Sequence, residues 1–359
     1  MAEGSTIKDT FRRLSWLQHR PGWGAVANGV RNIAAFALRT KRAGHLPSLV
    51  KIDISPQCSL ACPHCLHANP AGRGRPLLDA QDFKSAKRMS VEEFSAIIEQ
   101  LKGETLAVSL FYYGDPLAHP DLDEMIELTR KAGLAVHITT HFSYNFTEAR
   151  IRRLVDSGLS HLTVAVDGAS QESYGTTRVR GRLDWVLKNL TELTAYKRQR
   201  QLSHPFVEVQ HLKFPHHRPD EEDIIRGWVT DMGVDKFTVL NGLRFNSDGD
   251  LYNVVDDDPE GEMGQPLAGT MLPRCHWPFS STVIKSNGDV IPCCLWRVGR
   301  QYVPGEDGHA LGNVFDTPLA QIWNGPNYQR LRHRVARPHS RNGAETSFCD
   351  GCPKLYEKA

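Results

Sequence analysis

Apolar and polar positions alternate between two periods along the middle of the chain. Leu49-Val50-Lys51-Ile52-Asp53-Ile54 is a β-rich run, and Phe94, Ile97, Ile98 and Leu101 then recur at helical spacing. Ser90 and Glu93 ahead of that second run form a capping box, which satisfies amide groups that a helix start leaves open. Another β-rich run covers 106–111. A helix is predicted over 122–131, stopping at Gly133, with the next strand at 135–138. Thr147 opens a helix that ends at Gly158, and a strand at 162–166 follows. Trp185, Leu187, Leu190 and Leu193 mark a further helix before a strand at 206–212. Ile224, Ile225, Trp228 and Val229 mark the last, which stops at Gly233 and feeds a strand at 237–240.

Six strands alternating with helices predict a parallel sheet with right-handed crossovers. A closed barrel needs eight such units. The predicted fold class is therefore α/β, a partial (β/α)6 TIM-like barrel over 48–245, with its chemistry at the carboxyl ends of the strands. Three segments lie outside it. Residues 1–47 carry Phe11, Leu14, Trp16, Leu17, Trp23, Val26 and Val30 among basic residues and predict an N-terminal helical extension packed on the barrel. Residues 246–270, with Asp256-Asp257-Asp258, read as an acidic connector. Residues 271–359 form a small C-terminal domain whose hairpin turns at Asn287-Gly288.

Charge narrows the class of function. The 359 residues hold 43 Lys and Arg against 41 Asp and Glu, a balance of +2, so the basic excess of a dedicated nucleic-acid binder is missing. No apolar run reaches the length of a transmembrane helix, about 18 residues, and no secretory signal opens the sequence. The expectation is a cytoplasmic protein.

The eight cysteines are clustered. Cys58-x3-Cys62-x2-Cys65 directly follows the first predicted strand. Cys275, Cys293, Cys294, Cys349 and Cys352 lie in the last third. Tight clusters in a reducing compartment point to metal or redox chemistry more than to disulfides. Three close thiolates can hold three irons of a 4Fe–4S cube and leave the fourth open. Zinc completed by His64 or His67 is the competing reading. For the second group, an all-cysteine zinc ribbon and a second 4Fe–4S cluster stand level on spacing alone.

The order of motifs resembles that of the radical S-adenosylmethionine (radical SAM) superfamily, whose CxxxCxxC motif follows the first strand of a six-unit partial barrel. Tyr113-Gly114-Asp115-Pro116, after the second strand, looks like the family's GGEP motif, with Tyr113 replacing a Gly and Asp115 replacing Glu. The resemblance implies that its backbone receives the SAM ammonium group. Thr139-Thr140-His141, at the end of the third strand, matches the segment that holds SAM ribose hydroxyls. Val166-Asp167-Gly168 ends the fourth strand as the family's SIDG does, with Ala165 where Ser is usual. Tyr174-x3-Arg178 matches the pattern whose Arg pairs with the SAM carboxylate.

In the C-terminal third, Gly288-x4-Cys293, Leu311-Gly312-Asn313-Val314 and Ile322-Trp323 before the final CxxC resemble the auxiliary-cluster extension called SPASM, or its shorter twitch form. The resemblance implies SAM, a SAM-binding cluster on Cys58, Cys62 and Cys65, and one auxiliary 4Fe–4S cluster on Cys275, Cys293, Cys349 and Cys352. It also implies a reductase, flavodoxin or ferredoxin as electron donor. Adjacent side chains on a strand point to opposite faces, so with Cys293 assigned to the cluster by the Gly288-x4-Cys293 spacing Cys294 is expected to be a surplus thiol, either a small buried core thiol or one facing the substrate cavity.

Three outcomes are expected to compete. The layout is similar to twitch enzymes acting on sugars and aminocyclitols, so a hydroxyl-rich small molecule is the expected substrate. Epimerisation, with Cys294 as hydrogen-atom donor, stands ahead of oxidation of a secondary alcohol to a ketone. The oxidation needs a base, for which His211, Lys213 and His216 are candidates, His211 foremost. Peptide modification comes third, because residues 1–47 are too short for a leader-binding module. A non-enzymatic iron–sulfur carrier would have no use for the SAM motifs.

Overall fold

A computed structural model of the chain describes residues 21–63, 65, 87–245, 251–253, 275–294 and 310–337. Cys349, Cys352, His64, His67 and nearly all of the acidic connector lie outside them.

Helix α1 (Trp23–Ala37) precedes strand β1 (Leu49–Ile52). Then come α2 (Val91–Leu101), β2 (Ala107–Ser109), α3 (Leu122–Lys131), β3 (Ala135–Thr140), α4 (Glu148–Asp156) and β4 (His161–Ala165). A short α5 (Gln171–Thr177) and the long α6 (Leu183–Gln199) lead to β5 (Phe206–Lys213), α7 (Glu221–Met232) and β6 (Lys236–Asn241). Strands β1 to β6 pair in parallel in sequence order.

Local chemistry accounts for the helix starts. Ser90 accepts from the Glu93 amide while Glu93 returns the bond to the Ser90 amide, a full capping box for α2. Phe94, Ile97, Ile98 and Leu101 then bury their side chains, worth about 1.5–3 kcal/mol each. Gly233, at φ 72°, ends α7 in the left-handed conformation that glycine adopts without strain.

The C-terminal third continues the barrel sheet. After the one-turn α8 (Trp277–Ser280), strand β9 (Ser281–Ile284) pairs in parallel with β1, with Leu49 opposite Ser281 and Ile52 opposite Ile284. Strand β10 (Asp289–Ile291) returns antiparallel to β9 around Gly288, and β11 (Gly312–Asn313) follows. The result is one nine-stranded sheet with the hairpin on the β1 edge of the barrel. A separate two-stranded ribbon joins β7 (Leu243–Phe245) to β8 (Leu251–Asn253). Helices α9 (Leu319–Trp323) and α10 (Pro326–Ala336) complete the described chain.

Helix α1 is held by polar bonds more than by an apolar stripe. The buried Asn28 and Asn32 both donate to the Leu46 carbonyl at 2.8 Å, whereas Trp23, Val30 and Ile33 stay exposed.

The two faces of the sheet differ sharply. Val50, Ile52, Val108, Val136, Ile138, Leu162, Val164, Val207 and Val209 pack with the helices in one core. Period-2 alternation turns the residues between them inward. Those are Lys51, Ser109, His137, Thr139, His161, Thr163, Glu208 and Gln210, so the barrel interior is polar. Along β3 the inward His137 and Thr139 are half-buried while Val136, Ile138 and Thr140 are buried, so the interior is open.

Candidate active site

The expected SAM-site residues gather around the carboxyl ends of the barrel strands: Tyr113 to Pro116 after β2, Thr139 and Thr140 as the last residues of β3 with His141 next, Asp167 after β4 and Arg178 just past α5. Hydrogen bonds join these segments. The loop after β1 carries Cys58, Cys62 and Cys65, all free and half-buried, with the Cys65 amide turning back to the Cys62 carbonyl at 3.0 Å. The Asp115 amide donates to the Gln57 carbonyl at 2.8 Å, and the Ala61 amide donates to the Val179 carbonyl at 3.0 Å. The cysteine loop is thus pinned to the Gly114 turn on one side and to the Arg178 segment on the other. A Cβ on Gly114 would stand 2.2 Å from the Ser55 carbonyl oxygen and 2.4 Å from that of Gln57, so only glycine permits this approach.

Asp115 is buried and fully engaged. Its Oδ1 accepts from the Leu117 amide, and its Oδ2 accepts from the Thr140 hydroxyl at 2.7 Å and the His141 amide at 2.9 Å. Thr140 Oγ1 also accepts from the Phe142 amide at 2.9 Å. Asp115 and Thr140 therefore hold each other and lock two strand ends together. Thr139, one residue earlier, faces the interior, where its hydroxyl lies 3.4 Å from His137 Nε2. His141 Nε2 sits 3.4 Å from Ser59 Oγ, under the cysteine loop, and burial pulls the imidazole pKa below its ordinary value despite Asp115.

On the other flank, Arg178 Nε and Nη2 both reach Asp167 Oδ2, at 2.7 and 2.6 Å, while Asp167 Oδ1 accepts from the Leu212 amide at 2.7 Å. Burial opposes the Arg178 charge, but Asp167 and then Cys62 outweigh it and hold the guanidinium protonated. Burial pushes the Cys58 thiol up to about 12 and raises Cys62 too, with Arg178 partly offsetting the rise at Cys62. Bare thiolates are disfavoured here, and a bound cationic centre would supply the missing compensation.

The donor set fits a cube. Cys58, Cys62 and Cys65 offer three free thiols on one short loop, each able to take a different iron of a cube and leave the fourth iron open.

Cys275 and Cys293 pack against the same small cluster, formed by Phe279, Val283, Ile291 and Leu331, whereas Cys294 is exposed. The two neighbouring thiols thus sit in different environments. Tyr112 Oη donates to the Cys294 carbonyl at 3.2 Å, and Tyr113 Oη donates to Tyr112 Oη at 3.4 Å. Cys294 therefore lies at the barrel mouth, beside the turn after β2.

His211 does not face the interior. It shares the parity of Val207 and Val209, donates from Nδ1 to the Val166 carbonyl at 2.9 Å and stacks on His217. That corrects its expected role as the base acting on a substrate inside the barrel. Lys213 pairs with Glu222, and His216 lies 3.2 Å from the Ser173 carbonyl, both serving the β5–α7 corner.

Two supporting residues escaped the sequence reading. Tyr144 stacks on His141 with ring centroids 4.7 Å apart. Asn189, fully buried on α6, donates to the carbonyls of Phe142 and Tyr144 at 3.0 and 2.8 Å and clamps a turn in which Phe142 takes φ 56°. An amide on the apolar stripe of α6, between Val186 and Leu190, was the available signal.

Comparison with known proteins agrees with this architecture. Residues 52–226 match the radical SAM superfamily and residues 275–353 match SPASM, an iron–sulfur cluster-binding domain. A PqqA peptide cyclase of Bradyrhizobium diazoefficiens is 26% identical over 196 residues, 55% of this chain and 47% of that protein. The match thus spans about half the length of that relative. A PqqA peptide cyclase of Xanthomonas euvesicatoria pv. vesicatoria is 22% identical over 86% of this chain and 80% of its own. Among solved structures, Streptococcus suis SuiB bound to its precursor peptide SuiA aligns with a TM-score of 0.59 at 15% identity, covering 92% of this chain and 74% of SuiB. The chain belongs to the radical SAM superfamily and carries a C-terminal SPASM domain, so its cofactors are SAM, a 4Fe–4S cluster and auxiliary iron–sulfur chemistry.

Proposed function

We propose that this radical SAM enzyme inverts a carbon centre of a hydroxyl-rich small molecule, a sugar or aminocyclitol, with Cys294 returning the hydrogen atom. Cys58, Cys62 and Cys65 would hold the SAM-binding cluster, and Cys275, Cys293, Cys349 and Cys352 one auxiliary 4Fe–4S cluster. The backbone of Tyr113, Gly114, Asp115 and Pro116 would take the SAM ammonium group, with Arg178, held by Asp167, at the carboxylate. When bound, cluster and SAM together supply a carbon-centred radical able to abstract hydrogen from an unactivated carbon.

The observation carrying this reading is the Tyr112–Cys294 contact. It brings the backbone of Cys294, an exposed residue, beside the segment after β2, while Cys293 packs against the C-terminal cluster, and this supports the reading. A substrate radical that takes hydrogen from the Cys294 S–H leaves a thiyl radical. One electron and one proton restore the thiol, the electron coming from a flavodoxin- or ferredoxin-type donor. His211 facing away from the interior weakens the alcohol-oxidation alternative, which needs a base. Turnover in deuterated water tests the proposal: the product is expected to carry deuterium at the inverted carbon, and Cys294→Ala should abolish product while SAM is still consumed. Full turnover by Cys294→Ala would remove the donor role.

Peptide modification is the second reading. The relatives named PqqA peptide cyclase and the likeness to SuiB with its precursor peptide favour it. Release of 5′-deoxyadenosine stimulated by a precursor peptide and indifferent to polyols would decide for it.

A further inference from the structure

Helix α1 is amphipathic in the reverse sense. Ala25, Asn28, Gly29, Asn32 and Ala35 form its buried side. Asn28 Nδ2 donates to the Leu46 and Glu104 carbonyls, at 2.8 Å each. Asn32 Nδ2 donates to Ser48 Oγ at 2.9 Å, and its Oδ1 accepts from the Gly44 amide at 2.8 Å. The outward side is apolar instead. Trp23, Val26, Val30 and Ile33 share it at helical spacing, with Trp23 90% exposed and Val30 and Ile33 60% exposed. Leu38, just past the helix, is 74% exposed. A surface helix ordinarily turns its apolar stripe to the core and its amides to water.

We propose that this outward face is a docking surface for an anionic lipid bilayer, with α1 lying in the plane of the interface. The inference is independent of the reaction proposed above.

Charge selects the occupant. Between 21 and 47 the chain carries Arg31, Arg39, Lys41 and Arg42 and no Asp or Glu, and all four cations are exposed. The basic rim continues onto α10, where burial and then Lys41 and Arg337 pull the His333 pKa down. A second copy docked through the same face would set these cations against their own images. An apolar helix face flanked by Lys and Arg instead matches acyl chains beneath anionic headgroups. Residues 1–20 carry more of this composition, with Phe11, Leu14, Trp16 and Leu17 among Lys8, Arg12, Arg13 and Arg20, against Glu3 and Asp9.

The frame fixes how the face is presented. The asparagine bonds hold the helix against rotation, so the apolar side chains cannot turn inward without breaking them. With 15 residues α1 is about 22 Å long. No helix among the described residues is long and apolar enough to cross a membrane, so α1 rests on the lipid and does not span it. Leu46 and Glu104 precede β1 and β2, which puts α1 under the amino ends of those strands. The cysteine loop and the Gly114 turn follow the carboxyl ends, so a docked molecule keeps its candidate active site turned away from the bilayer.

The test floats the full-length, anaerobically reconstituted protein with two kinds of vesicle, phosphatidylcholine alone and phosphatidylcholine with about 30% phosphatidylglycerol, at low and high salt. The expectation is binding to the anionic vesicles that weakens with salt, and little to the neutral ones. One variant combines Trp23→Ser, Val30→Ser and Ile33→Ser, and another combines Arg31→Glu and Lys41→Glu. Each should weaken vesicle binding by roughly tenfold or more, while the circular dichroism spectrum and 5′-deoxyadenosine release stay as in wild type. No binding to either vesicle, equal binding to both, or undiminished binding by the triple-serine variant would each overturn the proposal. Light scattering adds a further check: a wild-type dimer that the triple-serine variant dissolves would assign the face to a second copy and overturn the lipid reading.

Discussion

Arg178 and Asp167 form a fork in which Nε and Nη2 of the guanidinium converge on one carboxylate oxygen, with Asp167 nearly fully buried and Arg178 still partly open beside Cys62. The carboxylate aims the cation and leaves its outer edge for another anion. Asp167→Asn keeps the shape but strands a guanidinium in a partly dry site. The expected costs are on the order of 2–4 kcal/mol of stability and at least a tenfold loss of SAM affinity. Thermal unfolding and SAM titration of the reconstituted variant check both; unchanged SAM affinity would detach Arg178 from the cofactor.

Two glycines should respond to alanine in opposite directions. Gly114 has the cysteine-loop backbone where its Cβ would be, so Gly114→Ala must push the Ser55–Gln57 stretch away. The variant should retain fewer irons per chain after anaerobic reconstitution and show a lower Tm. Gly227, inside α7, has nothing within 4 Å of a new Cβ. Gly227→Ala should raise stability by roughly 0.5–1 kcal/mol, because alanine loses less backbone entropy on entering a helix. Equal behaviour of the two variants would mean that the close approach at Gly114 does not matter.

The elements whose signals are local were legible in the sequence. The Ser90–Glu93 box and the 122–131 helix fall where capping chemistry and apolar spacing put them, because both act within a few residues. The parallel pairing of β9 with β1 was not legible. It joins segments more than 200 residues apart, and no local pattern distinguishes a ribbon standing alone from one that extends a barrel edge. His211 was misjudged although its parity was readable, since Val207 and Val209 mark the outward face of β5. Thr139 and Thr140 show the same limit in the site itself. Neighbours in one motif, they point to opposite faces, one to His137 and one to Asp115.

Acid sensitivity is expected from the histidine group at the β5–α7 corner. Burial, then the neighbouring His216 and His211, pull the His217 pKa from the ordinary 6.5 to about 4. Between those values the unfolded chain binds a proton that the native protein refuses, so stability rises with pH across the window. His217 thus contributes fully above about pH 6.5, and its contribution is lost as the pH falls towards 4. His217→Gln, which can still accept from the Phe214 amide, should flatten the Tm-against-pH curve between pH 6.5 and 4. Parallel curves for variant and wild type would assign the acid lability elsewhere.

Arg332 presents the inverse problem, a cation in the C-terminal core with no carboxylate paired to it among the described residues. It is fully buried, and its Nε donates to the Pro278 carbonyl at 2.7 Å. Its Nη1 reaches the Lys41 carbonyl at 3.1 Å and Asn324 Oδ1 at 3.2 Å. The guanidinium also lies over the Trp323 ring, 4.3 Å from its centroid. Burial pulls its pKa down to about 10, which leaves it charged at neutral pH. One fork therefore ties α10 to α8 and to the chain after α1. Lysine keeps the charge but cannot reproduce the planar fork or the ring stacking. Methionine removes the charge and leaves those oxygens unsatisfied in a dry core. Both Arg332→Lys and Arg332→Met should therefore lower stability, by about 3 kcal/mol, measured as a fall in Tm. A methionine variant as stable as wild type would show that the packing of Trp323 and Tyr328, and not this fork, holds the C-terminal helices against α1.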